Sequence, residues 1–507
     1  MMSRSHIFLA IILISGLMLR LAAINDPVTY DEAYTYVAFA SRSLWGIVSD
    51  YSLPNNHIFH SLLVHFSVTL FGNHPWSIRI PALLAGLAII LVAYGFGKSL
   101  YSRESGLAAA ALTAYFPELI HFSTEARGYS LVGLFTLVIF WLGWHVSQPK
   151  VRRTMLNGVI SSENKFQLMG FGPKVWCDAL PWALLTFCTA LGFWTIPTML
   201  FPAGALYLWL FIHGLTDKLT RGRKYFISFF LSGLGVGALT FLLYAPVLKI
   251  SGWQKLLANG FVQPVNAQEY FDSVLATRLL DTWQTWTKDI PLLLTMILVL
   301  GFALALIFHR QISANRASRA PLQLVIFAWI ALLVVTRRPD AYDRFWSFLI
   351  APFLLWGAAG LIETAKKMRG RSPIQFDSLL AGLAIIFLVV QSALSIPSIP
   401  SRWAKMGNPE AAAIYLKDLL NPGDVVLAGY PNNAPLWYYL GYLHLPESVW
   451  QGRVDAPRTY FVLAANQKGQ TLETIVKSYK LDLTLFQLER AENIERYGQL
   501  IIYRLER

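Results

Sequence analysis

Apolar stretches long enough to cross a lipid bilayer constrain this sequence more than any other feature. A membrane-spanning helix needs about 20 mainly apolar residues. Hydrophobic residues make up 55% of the 507 residues and charged residues only 14%, whereas a soluble protein carries about 25% charged residues. The sequence therefore predicts an α-helical polytopic membrane protein with about eleven transmembrane helices. The predicted spans are 6–24, 77–98, 104–121, 128–146, 179–193, 196–213, 225–247, 290–309, 321–336, 345–363 and 376–396.

The positive charges between the spans predict which side of the membrane each loop faces. Cytoplasmic loops are enriched in Lys and Arg. With the N-terminus in the cytoplasm, the inner segments hold 19 Lys and Arg and the outer loops hold 9. We therefore expect a multi-pass protein of the plasma (inner) membrane, with a cytoplasmic N-terminus and an extracytoplasmic C-terminal part. Membrane lipids then account for the net charge of +13, because basic loops bind anionic headgroups. Nucleic acid is not an expected partner.

The polarity of the chain predicts two domains. Residues 1–397 contain all the apolar stretches and form the predicted transmembrane module, which includes a long extracytoplasmic loop at 25–76 with short interfacial helices. Residues 398–507 are more polar and lack a spanning stretch. Alternating patterns in this part predict a small extracytoplasmic α/β domain. The predicted helices are 409–420, 434–443 and 471–480, and the predicted strands are 424–430, 458–465, 481–488 and 499–505.

Two adjacent carboxylates, Asp31 and Glu32, come shortly after the first apolar stretch. Neighbouring residues on a helix point about 100° apart, so the two are not expected to do the same job. One explanation is a base for an acceptor hydroxyl, or a metal ligand. The other is a helix N-cap, where Asp is favoured. The residues alone leave both explanations open.

Further polar residues lie in the same outer loop. Asn56 and His57 begin an amphipathic stretch that contains two more histidines, His60 and His65. His57 is a candidate for binding a sugar, a phosphate or a metal, and the alternative is a set of polar residues at the membrane interface. The histidine spacing does not match a strong zinc motif such as HExxH.

A short outer loop, STEARGYSL, carries Glu125, Arg127 and Tyr129. Arg127 is a candidate for holding a phosphate, and Glu125 for a second acidic group in the same cavity. Ionisable residues at a membrane boundary are often functional, but an exposed Arg–Glu pair also occurs without function. Arg79, inside the second span, is expected to anchor that span by reaching the interface.

The outer loop at 337–344 breaks the positive-inside pattern. It contains Arg337, Arg338 and Arg344 together with two acids, Asp340 and Asp343. Arg binds phosphate through its planar fork, so one hypothesis is that this loop holds a lipid phosphate. The alternative is a salt-bridge cluster within the loop.

Four motifs occur in a fixed order: TYDEAYTY, LPNNHIFHSLLVHFSVTLFG, HPWSIRIPALLAG and STEARGYSL. In these motifs the chain resembles bacterial members of the glycosyltransferase family 39 group, which includes the protein O-mannosyltransferases and the aminoarabinose transferases, within the GT-C superfamily. Related sequences often have prolines after the position of His57, where this chain has Ile58 and Phe59.

The resemblance implies an inverting transfer of a sugar from a polyprenyl-phosphate donor to a lipid, glycan or protein acceptor outside the cytoplasm. It implies that Asp31 is the catalytic residue and that Glu32 supports it or helps to place a divalent cation. The implied substrate-binding residues are Asn56, His57, Glu125, Arg127, Tyr129, Arg337, Arg338 and Arg344, and the candidate metal ligands are Asp31, Glu32, His57 and Glu125.

Two alternatives stay open at this point. A non-enzymatic flippase or transporter for a lipid-linked saccharide would share the membrane module and a phosphate-binding loop, but it would not need Asp31 as a base. An oligosaccharide transferase or O-antigen ligase would use a pyrophosphate-linked glycan as its donor.

Overall fold

The computed structural model is mostly helical and ends in a small sheet. It describes residues 4–148, 173–216, 222–257, 264–312, 320–369, 407–450, 458–464 and 469–506. In the membrane module the helices are α1 Arg4–Ala23, α2 Tyr30–Tyr34, α3 Leu44–Ser49, α4 Ile58–Phe71, α5 Pro75–Leu100, α6 Arg103–Tyr115, α7 Pro117–Ser123, α8 Tyr129–Val146, α9 Pro173–Thr195, α10 Leu200–Thr216, α11 Arg223–Ile250, α12 Trp253–Leu257, α13 Ala267–Glu269, α14 Leu275–Thr287, α15 Leu292–Ile307, α16 His309–Ile312, α17 Leu322–Arg337 and α18 Ile350–Arg369.

The apolar helices confirm a polytopic helical architecture. Within the described residues, six helices are long and apolar enough to cross a membrane, or seven if α13–α14 and α15, bent by 113°, count as one span. Shorter apolar helices cover Ile58–Phe71, Ala179–Thr195 and Leu322–Arg337. Ten of the predicted spans coincide with described helices. The eleventh, 376–396, and the domain boundary at 397/398 lie outside the described residues, so the number eleven stays a prediction.

The predicted span 104–121 is two helices instead of one. α6 ends at Tyr115, and α7 begins at Pro117, which has no N–H to donate to the carbonyl of Thr113. The Arg20 guanidinium of α1 donates to the carbonyls of Thr113 and Ala114 in the last turn of α6 and, through Nε, to Ser123 Oγ at the C-terminal end of α7. Arg20 therefore joins the end of α6 to the end of α7.

Close helix contacts in the membrane module depend on small residues. A Cβ on Gly301 of α15 would lie 2.1 Å from the carbonyl oxygen of Gly357 of α18, and one on Gly360 would lie 1.8 Å from that of Gly301. Small residues let backbones approach closely in membranes, where packing drives helix association. Helix α18 is thereby held firmly just after the 337–344 loop.

The long loop between α1 and α5 is ordered by short helices. α2 continues into a π-helical segment, Thr35–Ala40, and α4 covers Ile58–Phe71, as the apolar periodicity predicted. Helix α3 lies between them and was not predicted. The side-chain amide of Asn56 donates to the carbonyls of Ile47 and Asp50, which ties α3 to the start of α4.

The C-terminal residues form an α/β unit with a mixed sheet. Its helices are α19 Pro409–Leu419, α20 Asn433–Tyr442 and α21 Leu472–Ser478, and its strands are β1 Val425–Ala428, β2 Arg458–Ala464, β3 Glu492–Tyr497 and β4 Leu500–Glu506. The strand order is β1-β2-β4-β3; β1 and β2 are parallel, and the other pairs are antiparallel.

One predicted strand in this unit is wrong. Residues 481–488 form the short 3₁₀ turn Leu483–Leu485, with extended residues around it, and the third strand follows at Glu492–Tyr497. Asp482 accepts a hydrogen bond from the backbone N–H of Thr484. A short polar side chain of this kind favours a turn over a strand.

The α/β unit packs directly on the long loop of the membrane module. The backbone N–H of Val28 donates to the hydroxyl of Tyr439, and the rings of Tyr36 and Tyr438 meet edge to face at 5.5 Å. Both parts share one apolar cluster that includes Val28, Ala33 and Tyr439. The unit is therefore seated beside Asp31 and Glu32.

Candidate functional site

Three loops bring the predicted residues together at one end of the helical module. They are the α1–α5 loop with Asp31 and Glu32, the α7–α8 loop at 124–128, and the α17–α18 loop at 338–349. The Ala126 N–H donates to the Glu32 carboxylate and so joins the second loop to the first, and the Asp31–Arg344 ion pair joins the third loop to the first.

Glu32 is a buried anchor at the centre of this end. It is fully buried and forms an ion pair with Arg79, whose Nε lies 2.7 Å from Oε1 and whose Nη2 lies 2.8 Å from Oε2. It also accepts from the backbone N–H groups of Thr29 (2.9 Å) and Ala126 (2.7 Å). Burial alone would raise the pKa of Glu32, but Arg79 and these two donors outweigh it and lower that pKa. Glu32 is thus a charged carboxylate that ties the α7–α8 loop to α2 and α5.

The expected interfacial position of Arg79 is wrong. Its side chain is fully buried, and besides Glu32 it donates to the carbonyls of Ile24, Asp26 and Pro27. The loss of water by both charges is offset by their mutual attraction at low dielectric and by the hydrogen bonds of Arg79 to Glu32 and to three carbonyls. Arg79 is a structural partner that the local sequence did not reveal.

Asp31 points to a partly exposed region beside this anchor. Its Oδ2 lies 2.7 Å from Nη1 of Arg344, and the two side chains are 24% and 48% exposed. Asp31 is not the cap of α2, because Thr29 is the N-cap and Glu32 accepts the Thr29 N–H. Of the adjacent acids, only Asp31 is therefore accessible to a substrate.

Arg127 and His57 form the buried wall next to Asp31. Arg127 donates to Thr35 Oγ1 (2.9 Å) and to the carbonyl of Asn55 (3.1 Å), and its guanidinium carbon lies 5.6 Å from the centre of the Tyr129 ring. His57 Nδ1 accepts the backbone N–H of Gly128 at 2.9 Å. Burial, followed by the positive charge of Arg127, lowers the pKa of His57 well below its usual value, so this ring is neutral.

Gly128 is required for this contact. A Cβ there would lie 3.0 Å from His57 Nδ1 and 2.9 Å from Thr195 Cγ2. The ring of Tyr129 meets that of His57 edge to face at 5.3 Å. His57 therefore holds the α7–α8 loop and orients Tyr129.

The hydrogen bonds of Asn56 are made within the protein. Its amide donates to two carbonyls, as described above, and its oxygen accepts from Ser61 at 2.8 Å. Asn56 is 1% exposed. The structure thus places it beneath the site, as a residue that orders the loop; binding of a substrate by Asn56 stays a prediction.

Glu125 is the second acid near Asp31. Its side chain is 12% exposed, and its Oε2 lies 3.8 Å from His121 Nε2. Burial, followed by the negative charge of Glu32, raises the pKa of Glu125 to about 8, and Asp31 adds to this effect. Glu125 thus carries a proton at neutral pH and can donate a hydrogen bond.

The ion pairs of the arginine-rich loop reach residues outside the loop. Asp340 pairs with Arg278 of α14, and that guanidinium also stacks 4.2 Å from the centre of the Tyr342 ring. Arg344 turns toward Asp31, while Arg337 is exposed and Arg338 is half-buried with a left-handed backbone (φ 43°). The loop thus keeps cationic side chains at the same end of the molecule as Asp31.

The candidate metal ligands do not fit a metal site as they stand. Both oxygens of Glu32 are occupied by Arg79 and backbone donors. Within the described residues, no three His, Cys, Asp or Glu side chains converge in a way that could hold an ion.

Comparisons with known proteins agree with the resemblance seen in the motifs. The sequence profile of the dolichyl-phosphate-mannose-protein mannosyltransferase family matches residues 55–159. No curated protein matches the sequence.

Solved structures with the same fold cover almost all of this chain. ArnT from Cupriavidus metallidurans, in the apo state, superposes with a TM-score of 0.57 at 12% identity, over 98% of this chain and 97% of that chain. The same protein bound to undecaprenyl phosphate gives 0.56 at 12% identity, with the same coverage. The apo oligosaccharyltransferase of Archaeoglobus fulgidus gives 0.52 at 12% identity, over 91% of this chain and 70% of that chain. This chain therefore has the ArnT-like fold of the GT-C glycosyltransferases, the superfamily that its four motifs resemble.

Proposed function

We propose that this protein transfers a glycosyl unit from a polyprenyl-phosphate sugar to an acceptor on the outer face of the plasma membrane, with inversion at the anomeric carbon. The acceptor class is a lipid, a glycan or a protein. The observation that carries the proposal is the Asp31–Arg344 pair, which joins an accessible carboxylate to an accessible guanidinium at 2.7 Å.

The two members of this pair suit the two halves of a sugar transfer. An acceptor hydroxyl is a poor nucleophile and needs a positioned base, and Asp31 supplies it. The phosphate that leaves the sugar gains negative charge, and a guanidinium stabilises that charge through its fork. In the single displacement, the acceptor oxygen forms the bond to the anomeric carbon. The bond to phosphate breaks, its electron pair goes to the phosphate, and the acceptor proton goes to Asp31.

The pair also implies an order of events. In the free protein each charge neutralises the other. When the donor phosphate binds Arg344, Asp31 loses its counter-ion. Asp31 lies beside the site where we propose that the acceptor binds. The carboxylate then becomes a better hydrogen-bond acceptor for the incoming hydroxyl. Donor binding therefore prepares the base.

Other residues of the site support this assignment by position. Arg337 and Arg338 add positive charge on the same loop as Arg344, and Arg127, Tyr129 and the protonated Glu125 line the wall near Asp31. ArnT from C. metallidurans, whose fold this chain shares, has been crystallised with undecaprenyl phosphate. We propose the same class of lipid as the donor's carrier here.

A divalent cation is not assigned a step. The four candidate ligands do not form a metal site as they stand, because Glu32 is already paired with Arg79. The arginines can carry the charge neutralisation that a cation would otherwise supply.

The competing functions differ from this proposal in whether the sugar–phosphate bond breaks and in which donor is used. A flippase would move the lipid-linked sugar without breaking the sugar–phosphate bond. An oligosaccharide transferase or O-antigen ligase would need a pyrophosphate-linked glycan. The Asp31–Arg344 pair favours transfer over flipping, since transport alone gives no role to a base.

The test is a transfer assay with purified protein in liposomes. The donors are a radiolabelled monosaccharyl polyprenyl phosphate and, in a separate reaction, a pyrophosphate-linked oligosaccharide. Solubilised cell-envelope membranes provide the acceptors. We expect label to move from the monophosphate donor to the envelope fraction, with release of polyprenyl phosphate. Transport without bond cleavage, or use of the pyrophosphate donor alone, would reject the proposal.

A further inference from the structure

The C-terminal α/β unit places an exposed tyrosine, Tyr430, against Tyr30, the residue that precedes the candidate base. Tyr430 lies in the loop between β1 and α20, and its side chain is 58% exposed. β1 and β2 are parallel, so this loop leaves the carboxyl end of a parallel strand pair. Ligands of α/β sheets commonly bind at these ends. The position of Tyr430 in its own unit is therefore one where binding residues are expected.

The ring of Tyr430 contacts a tyrosine of the membrane module, which in turn lies close to a second one. It meets the ring of Tyr30 edge to face at 4.8 Å and 74°, and the rings of Tyr30 and Tyr34 are 5.8 Å apart. Tyr30 directly precedes Asp31 in α2. We call these three side chains, Tyr30, Tyr34 and Tyr430, the tyrosine platform.

The loop that carries Tyr430 is held in place from both sides. Gln470 Nε2 donates to the carbonyl of Tyr430 at 2.6 Å, and the backbone N–H groups of Asn432 and Asn433 donate to the carbonyl of Gly429. The Val28–Tyr439 hydrogen bond fixes α20, the helix that follows this loop, to the α1–α5 loop. A fixed aromatic ring loses little conformational entropy on binding a ligand.

From this arrangement we infer that the tyrosine platform binds the glycan headgroup of the acceptor and that Tyr430 is its specificity-determining residue. The inference rests on the proposed function. It gives the α/β unit a role in choosing the acceptor, and it places the acceptor hydroxyl beside Asp31.

The chemistry of the platform favours a glycan over other acceptor parts. All three of its members are tyrosines, and burial raises the pKa of Tyr30 to about 12, so the Tyr30 hydroxyl keeps its proton. Tyrosine offers an apolar ring face and a hydroxyl at its edge. A sugar ring offers the matching surfaces, a C–H face and a rim of hydroxyl groups. A phosphate-bearing headgroup would instead call for cations, and an acyl chain would not need the hydroxyls.

A peptide acceptor is less well matched to this part of the molecule. Extended peptides commonly bind by adding a strand to a free sheet edge. β1 is the edge strand next to the platform, and all four of its residues are buried. It does not offer a free edge to a peptide.

The test measures the apparent affinity for the acceptor and the apparent affinity for the donor separately. The probe is the water-soluble glycan released from envelope glycolipids by mild acid, used as a competitor of transfer from the labelled donor. For Tyr430→Ala we expect the competitor concentration for half-inhibition, and the KM for the envelope acceptor, to rise roughly tenfold. The KM for the donor should change less than twofold. Tyr430→Phe and Tyr430→Trp, which keep a ring face, should stay within about threefold of wild type.

The matched control is Leu485→Ala, an exposed apolar residue of the same unit in the Leu483–Leu485 turn. It should change neither KM. If wild-type protein transfers sugar but Tyr430→Ala keeps the wild-type acceptor KM, the inference is wrong and the proposed function stands. If the protein fraction of the envelope competes and the released glycan does not, the acceptor class is wrong. If wild-type protein transfers nothing and cleaves no donor, the proposed function itself fails.

Discussion

Asp31 Oδ2 and Arg344 Nη1 lie 2.7 Å apart, although the two residues are 313 positions apart in the sequence. The contact joins the loop after the first span to the loop before α18. It brings a carboxylate and a guanidinium to the exposed side of a buried framework built on Glu32 and Arg79.

Replacing Arg344 should weaken donor binding. Arg344→Gln removes the charge, and Arg344→Lys keeps the charge but loses the planar fork. A hydrogen bond to a charged group contributes about 1.5–3 kcal/mol, so Arg344→Gln should raise the Kd for polyprenyl phosphate by about ten- to a hundredfold. Arg344→Lys should fall between Arg344→Gln and wild type. Binding is measured by titrating labelled lipid in nanodiscs.

Arg42→Gln is the control for this change. Arg42 is an exposed arginine of the α1–α5 loop, and its Nε donates to the carbonyl of Ala38. It should bind the lipid as wild type does. An Arg344→Gln protein with wild-type affinity would remove Arg344 from the phosphate site.

Breaking the Glu32–Arg79 pair should destabilise the fold. Both side chains are fully buried, and removing one partner of such a pair costs about 3–5 kcal/mol because the other charge is left unpaired. Glu32→Gln and Arg79→Met should each lower the midpoint of thermal unfolding strongly and release the loop at Ala126. The exposed pair Glu473–Lys477 provides the control, and Glu473→Gln should change stability by less than about 0.5 kcal/mol. Equal midpoints for Glu32→Gln and Glu473→Gln would contradict the anchoring role.

The pH dependence of stability should report on Glu125. Its folded pKa, about 8, lies above its ordinary value of 4.5. The folded protein therefore holds more protons than the unfolded chain between these values, and stability falls as pH rises through this window. Glu125→Gln removes this contribution, so its unfolding midpoint should decline less between pH 6 and about pH 9 than that of wild type. Parallel pH profiles for the two proteins would show that Glu125 ionises normally.

Arg20 should stabilise the break between α6 and α7. Its guanidinium donates hydrogen bonds to the carbonyls of Thr113 and Ala114, which precede Pro117. A buried carbonyl left without a donor costs about 1–3 kcal/mol. Arg20→Met should therefore lower the thermal midpoint, whereas Arg223→Met, at an exposed arginine, should leave it nearly unchanged. The account of the break fails if both variants unfold at the same temperature.

Much of the fold follows from local patterns, but the partners within the site do not. Apolar length predicts the spans, because burial in lipid depends on each segment by itself. Pro117 was a local signal of a helix break. The continuous apolar stretch at 104–121 nevertheless led to the prediction of a single span. The partner of Glu32 could not be predicted, since Arg79 is 47 residues away and ion pairing depends on tertiary packing. A charged residue inside a predicted span, even near its start, was nevertheless a signal of a buried partner.

Helix geometry indicated that the adjacent acids, Asp31 and Glu32, would not do the same job, and their different surroundings agree with this. Residues 100° apart on a helix face different surroundings, and the structure has Glu32 buried and Asp31 partly exposed. Which acid faced outward depended on the partners that tertiary packing supplies, Arg79 and Ala126 for Glu32 and Arg344 for Asp31. These partners are distant in sequence, so local patterns could not identify them.

The central claim is that Asp31 acts as the base in sugar transfer. The most direct measurement is single-turnover transfer by Asp31→Asn, together with its binding of the donor lipid. A positioned base contributes about 10²–10⁴-fold to rate, so Asp31→Asn should lose at least about a hundredfold in turnover while still binding the donor. Asp50→Asn, at another carboxylate of the same loop, should turn over as wild type does. Turnover by Asp31→Asn within about threefold of wild type, with donor bound, would contradict the account.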